Sequence, residues 1–294
     1  MSNAKGSMSN AKESMSKAKS SMSNAKDATS NAKSSGTAVQ IHPGAFVDPG
    51  AQLGIGVVIG PGAVVGPYVQ VGDRTRIDSH ALVTGWTTIG TDNHIHHGAV
   101  LGSPPQDLKY SGEPSYLTVG DHNVFREYCT ANLATDPGEA TRIGNHALFM
   151  AYAHVAHNCV IGDRAILANA VQLAGYVVVD TWAIVGGGTV VHQFARIGRH
   201  AMVGGGSRIS QDIAPFVKCA GSPPRNAGIN SIGLARRGAP RAAVEGAERA
   251  YRIFFRDGHT VSKAVETIRR ELPGLPEVEH FARFCETSVR GITR

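Results

Sequence analysis

A chain of 294 residues, 42% hydrophobic and only 18% charged, is long enough to bury a sizeable core, and its 35 glycines are well above ordinary usage. The net charge of +6 is carried by the two ends, +4 in residues 1–36 and +4 in residues 236–294, so the middle lacks the basic, aromatic-laced stripe of a nucleic-acid binder. No apolar run approaches 18 residues, no signal-peptide core opens the chain, and Cys129, Cys159, Cys219 and Cys285 have no disulfide-framework spacing, so a cytoplasmic protein without stable membrane insertion is expected.

In chain order, residues 1–35 read as five heptads with Met or Thr and Ala at the a and d places. Ser and Asn are poor helix formers and Ala at d buries little, so residues 1–36 are expected to be a disordered, mildly basic extension. From Ile41 an aliphatic residue then returns every sixth place through Val47, Leu53, Ile59, Val65, Val71, Ile77, Val83, Ile89, Ile95 and Leu101. The same phase resumes at Val119 and Phe125, and again from Ile143 to Ile209. Neither a 3.6-residue period nor simple alternation gives a strict six. Three short strands joined by tight corners do: each coil takes 18 residues, one aliphatic residue per strand points inward, and about eight to nine coils stack into a prism. Gly after the inward residue suits a corner that needs positive φ or close backbone approach. The pattern resembles the hexapeptide-repeat family of left-handed parallel β-helices. The predicted architecture is therefore mainly β, with the β-helix over residues 37–222.

His94, His96 and His97 crowd one corner of this prism, but no carboxylate or Cys stands beside them in the sequence, so they read as a surface corner and no metal site is expected. Two stretches break the period, near 102–118 and 131–142, and are expected to be loops extruded from the wall; such loops tend to carry function because a rigid scaffold positions them. PQDLKYSGEP in the first break, AHVAHNC at 153–159, ILAN at 166–169, VVHQF at 190–194 and LARRG at 234–238 resemble, in this order, the acyl-carrier-protein-dependent UDP-N-acetylglucosamine O-acyltransferases of lipid A biosynthesis. The resemblance runs from about residue 38 to the end.

It implies transfer of a 3-hydroxyacyl chain from the phosphopantetheine of acyl carrier protein to the 3-position of UDP-N-acetylglucosamine, the first step of lipid A biosynthesis, by a homotrimer without further cofactor. His157 matches the family's general base, and a base near neutral pKa is what attack of a sugar hydroxyl on a thioester needs. His154, His192, Gln193 and Tyr176 match cleft residues. Gln106, Asp107 and Lys109 of the first loop, with Asn230, Arg236 and Arg237, are expected to hold the sugar nucleotide, whose pyrophosphate calls for cationic donors. Gly205 matches the position that measures acyl length. No Cys or Ser of the repeats has a neighbouring base, which favours direct transfer over an acyl-enzyme. Zinc-dependent members of the hexapeptide family carry two histidines five residues apart, and no pair here has that spacing.

The chain departs from the family in three places. Asn158 stands where Asp commonly follows the base, Tyr176 where His is usual, and Ser231 and Ile232 precede Gly233 where an acidic residue is often found. Transfer to a 3-amino sugar, giving an amide, and a degenerate sugar-nucleotide-binding scaffold are the alternatives these changes leave open. Residues 223–294 are expected to be helical, with helices over 240–256, from a Thr260 cap, and over 276–287. Arg241, Arg249, Arg252 and Arg256 give the first of these a basic face for an acidic carrier protein.

Overall fold

The computed structural model describes residues 38–294, so the heptad extension lies outside the described residues. From Gln40 the chain winds into a left-handed parallel β-helix with three flat faces. The first face is an 11-stranded sheet, the second has nine strands and the third eight; without the two strands at 217–229 the first has nine as well, so all three match the coil number expected from the period. Pairing follows the 18-residue step, as in Ile41 to Ile59 and Ile59 to Ile77, and lengthens only where a loop intervenes, as in Ile95 to Phe125 and Phe125 to Phe149.

Each two-residue strand sends one side chain in and one out. The inward residues Ile59, Ile77, Ile95, Leu101, Val155, Leu167 and Val185 are buried and stack on their equivalents, and Phe125 lies flat on Phe149 with ring centroids 4.6 Å apart. An interior this narrow also takes a polar ladder: Asn93 Oδ1 accepts from the amide of Asn123, and Asn123 Oδ1 accepts from the amide of Ala147, both at 2.8 Å. These buried donors are thus satisfied where the coil period lengthens.

The corners decide between the two reasons expected for glycine. Gly after the inward residue, Gly102 apart, is not the positive-φ residue; at Gly72 a Cβ would lie 2.6 Å from the carbonyl carbon of Gly90 in the next coil, so close approach is what excludes a side chain. Positive φ falls two residues later and is held mostly by other residues, including Arg74, Asp92, Tyr128, Asn158 and Tyr176.

The extruded loops are tighter than expected, since strands reach Ser103 before the first and Asn132 before the second, and restart at Tyr116 and Ala140. The boundary expected at 222/223 falls inside a hairpin, Val217–Gly221 with Pro224–Ile229, whose second strand closes the first face antiparallel. Four helices follow: α1 (Ser231–Arg236), ahead of the three placed from the sequence, then α2 (Arg241–Phe255), α3 (Val261–Glu271) and α4 (Pro276–Glu286). Thr260 caps α3 as anticipated, its hydroxyl accepting from the amide of Lys263. Arg196 fastens the helices to the last coils: it pairs with buried Asp212 at 2.9 Å, donates to the carbonyl of Phe284 and stacks on that ring.

Candidate active site

Both extruded loops rise from the corner between the second and third faces, and they are sewn together. Ser115 Oγ donates to the carbonyl of Ala134 at 2.6 Å, the amide of Gly138 to the carbonyl of Pro114, and Asn132 Nδ2 to the carbonyl of Pro104. In the first loop, Asp107 uses Oδ1 to accept from the amide of Lys109, a local turn that leaves Oδ2 facing the prism. There it stands 3.8 Å from Nε2 of His157, whose side chain is 13% exposed.

His157 belongs to the next coil at the same corner. Its Nδ1 lies 3.1 Å from Oδ1 of Asn158, and the same oxygen accepts from the amide of Thr135 at 2.9 Å. The Thr135 amide can only donate, so the atom facing it is the amide oxygen, and the proton between Asn158 and His157 must sit on Nδ1. The lone pair is thereby left on Nε2, on the loop side. Asn158 does the orienting that a carboxylate would do, while Asp107 supplies the negative charge from the opposite edge.

The next coil adds Tyr176, whose ring meets His157 edge-on at 5.4 Å and stacks on Phe194 at 4.9 Å. Its hydroxyl donates to Asp136 of the second loop, which holds the phenol up to about 12. Asp136, Arg142, Asn158 and Tyr176 line a cleft of 380 Å³. Gly175 gives the imidazole its room: a Cβ there would fall on the ring of His157. His154, on the second face, has Nδ1 2.7 Å from the hydroxyl of Thr130, and burial with the neighbouring His157 pulls its pKa below the usual range. Gln106 and Lys109 are exposed on the loop, and Gln193 continues the column of His157 and Gly175. His192, exposed, points Nδ1 at the carbonyl of Gln193, two coils above His157.

Asn230, Arg236 and Arg237 are not brought to this corner. Asn230 is buried against the corner between the third and first faces, donating to the carbonyl of His200 and capping α1 through Gly233. Arg237 donates to Nδ1 of His200 at 2.8 Å and lies over the ring of Trp182 at 4.5 Å. Burial and the guanidinium push the His200 imidazole down to about 4. Trp182, Arg199, His200 and Arg237 line a pocket of 210 Å³. Arg236 is exposed on α1.

Trp182, His200, Asp136 and Gly175 were missed in the sequence. The 18-residue step, from Trp182 to His200 and from His157 to Gly175, was the available signal for three of them; Asp136 had none beyond its place in the second break. Gly205 sits at the corner between the first and second faces, where a Cβ would stand 3.0 Å from the carbonyl of Gly187. The His94, His96 and His97 corner is completed after all: Asp78, one coil below, faces His94 and His96, and Glu127 approaches from the coil above. All four cysteines are buried, which pushes the Cys129 thiol up to about 11 and those of Cys159 and Cys219 up to about 12, so none is poised as a nucleophile.

A family model described as UDP N-acetylglucosamine O-acyltransferase, domain 2, matches residues 212–293, and one described as bacterial transferase hexapeptide (six repeats) matches residues 140–175. The acyl-carrier-protein–UDP-N-acetylglucosamine O-acyltransferase of Thermodesulfovibrio yellowstonii is 45% identical over 221 residues, 75% of this chain and 86% of that protein. Its counterpart from Thiobacillus denitrificans is 47% identical over 204 residues, 69% of this chain and 79% of its own. Among solved structures, LpxA from Acinetobacter baumannii matches with a TM-score of 0.83 and 40% identity over 86% of this chain and 99% of that one. LpxA from Bacteroides fragilis, a UDP-N-acetylglucosamine acyltransferase, gives 0.83 and 38% over 87% and 100%. With the coil, both loops and the helical end all accounted for at this identity, the chain belongs to the acyl-carrier-protein-dependent UDP-N-acetylglucosamine O-acyltransferase family.

Proposed function

We infer that this protein transfers an acyl group from acyl carrier protein to UDP-N-acetylglucosamine, the first step of lipid A synthesis. The observation that carries the mechanism is the fixed tautomer of His157, with Nδ1–H held by Asn158 and the Nε2 lone pair turned toward the loop. Nε2 takes the proton of the sugar hydroxyl as its oxygen attacks the thioester carbonyl. Asp107 at 3.8 Å stabilises the imidazolium that forms. Collapse of the tetrahedral intermediate breaks the C–S bond, and the proton passes from Nε2 to the departing phosphopantetheine thiolate. Gln106 and Lys109 contact the sugar beside His157, with His154, Tyr176, His192 and Gln193 as further cleft walls. Lys218, Arg252 and Arg256 line a groove of 320 Å³ and receive the acidic carrier protein.

The working unit is a homotrimer in the cytoplasm. Outward residues of the first face include Val58, Val124, Leu148, Ile166, Ile184 and Met202, and those of the second Phe46, Val64, Leu82, Val100 and Val190. The third face presents Gln52, Gln70, Thr88, Thr118, Arg142 and Arg196 beside Val160 and Val178, and is the most polar of the three. Three-fold packing with the two apolar faces turned inward lays the first face of one copy on the second face of its neighbour. That sets the corner bearing Asn230, Arg236 and Arg237 beside the neighbour's His157 corner, so the sugar nucleotide is gripped by two copies.

Subunit mixing tests this reading. His157→Ala and Arg237→Ala should each lose most activity alone. Unfolded, mixed in equal amounts and refolded, they should recover activity in about a quarter of the sites, because each site draws the two residues from different chains. No recovery, with trimers formed, refutes the shared site.

A further inference from the structure

We propose that Asp78, His94 and His96 form a binding site for a divalent transition-metal ion, zinc by preference, which clamps neighbouring coils of the β-helix. The inference is independent of the acyltransferase reading. His94 and His96 flank the buried Ile95, so both imidazoles leave the same side of the strand and stack with centroids 3.7 Å apart. Asp78 is the residue 18 places before His96 and stands directly below it. Its Oδ2 lies 2.8 Å from Nε2 of His94 and 3.6 Å from Nδ1 of His96, and the three donor atoms fall within 4.8 Å of one another. Tetrahedral zinc with Zn–N and Zn–O bonds of about 2.0–2.1 Å keeps its donor atoms about 3.3 Å apart, midway between those two distances. Only small side-chain adjustments separate this cluster from a coordination shell.

The surroundings fit a bound ion. Arg76 donates Nε to Oδ1 of Asp78 at 2.7 Å, which fixes the carboxylate and leaves Oδ2 to the site. Oε1 of Glu127 lies 3.8 Å from Nδ1 of His96 and offers a fourth ligand from the next coil. Arg126 pairs with Glu127 as Arg76 does with Asp78, so the carboxylates are already balanced and the affinity comes from the imidazoles. That selects a borderline transition ion and rejects calcium and magnesium, which need several hard, uncompensated oxygens. In the resting cluster Nε2 of His94 donates to Asp78; binding moves that proton to Nδ1, so neutral imidazole is kept and no net proton is lost. On the outer side of the first face Arg76 and His94 interrupt an apolar row that runs from Val124 to Met202 above them. All the ligands come from one chain, and in the proposed trimer this corner turns inward, so the metal is acquired as the protein folds.

The test is metal content. The full chain, made without an affinity tag in cobalt-supplemented minimal medium, should carry about one cobalt per chain with the visible absorption of a tetrahedral ion. His96→Ala and the isosteric Asp78→Asn should each lower that content at least about tenfold, while His146→Ala, at an exposed histidine stacked on His122, should not. Adding excess calcium or magnesium to the medium should leave it unchanged. Wild-type protein holding less than half a cobalt per chain, or content undiminished in either Asp78→Asn or His96→Ala, overturns the proposal. Asp78→Asn keeps the volume of the side chain, so a folding failure of His96→Ala alone does not decide the outcome.

Discussion

Gly175→Ala should disable the enzyme through space alone. The residue is buried and lies outside the left-handed region of φ, so Ala meets no backbone penalty there. Its methyl, however, would occupy the ring of His157, which must swing away and surrender the Nδ1 hydrogen bond to Asn158. Extra volume in a packed site typically costs about 1–3 kcal/mol of stability, too little to unfold a coil with this many stacked neighbours. A displaced general base should lose most of its usual contribution, so kcat/KM should fall about 10²- to 10⁴-fold, equivalent to about 3–5 kcal/mol of transition-state stabilisation. The assay is steady-state acyl transfer beside a thermal melt, with KM for the sugar nucleotide measured separately. A variant that melts near the wild-type temperature and keeps kcat/KM within threefold would refute the reasoning, because the imidazole would then not need the place it occupies.

Two further outcomes follow from the geometry. Nδ1 of His200 accepts from Arg237 and its pKa is pushed down to about 4, whereas the unfolded chain binds that proton near 6.5, so the unfolded state holds more protons between these values and stability should fall as pH drops from about 6.5 toward 4. With partial solvent access the loss is about 1–2 kcal/mol, and denaturant titrations should find a shallower pH slope in His200→Asn; an unchanged slope sinks the account. Gly205→Met should shift preference toward a shorter acyl donor, read by product mass over a series of thioesters, at about tenfold per two carbons. The carbonyl of Gly187 at 3.0 Å from the new Cβ makes a uniform loss over all chain lengths the competing result, and that pattern would remove the measuring role.

Much of this molecule is written in one dimension because the coil is. A hexad contacts its equivalents 18 residues away through the same inward position, so the period from Ile41 to Ile209 determined the fold, the faces and the column in which His157, Gly175 and Gln193 stand. The loops showed as failures of the period, and the helical end by its own caps and spacing. The close-approach glycines and the positive φ two residues later were blurred, because sequence counts glycine without saying which constraint excludes a side chain. What remained for the tertiary structure were contacts whose spacing is not a multiple of the coil. Asp107 meets His157 across a loop and Tyr176 meets Asp136 across 40 residues, whereas Asp78, one 18-residue coil below His96, stood within reach of the period. Likewise, Arg237 and His157 share a motif order along the chain yet stand at different corners. Sequence order sets position along the prism axis, and only the closed three-sided coil decides which edge a side chain leaves from.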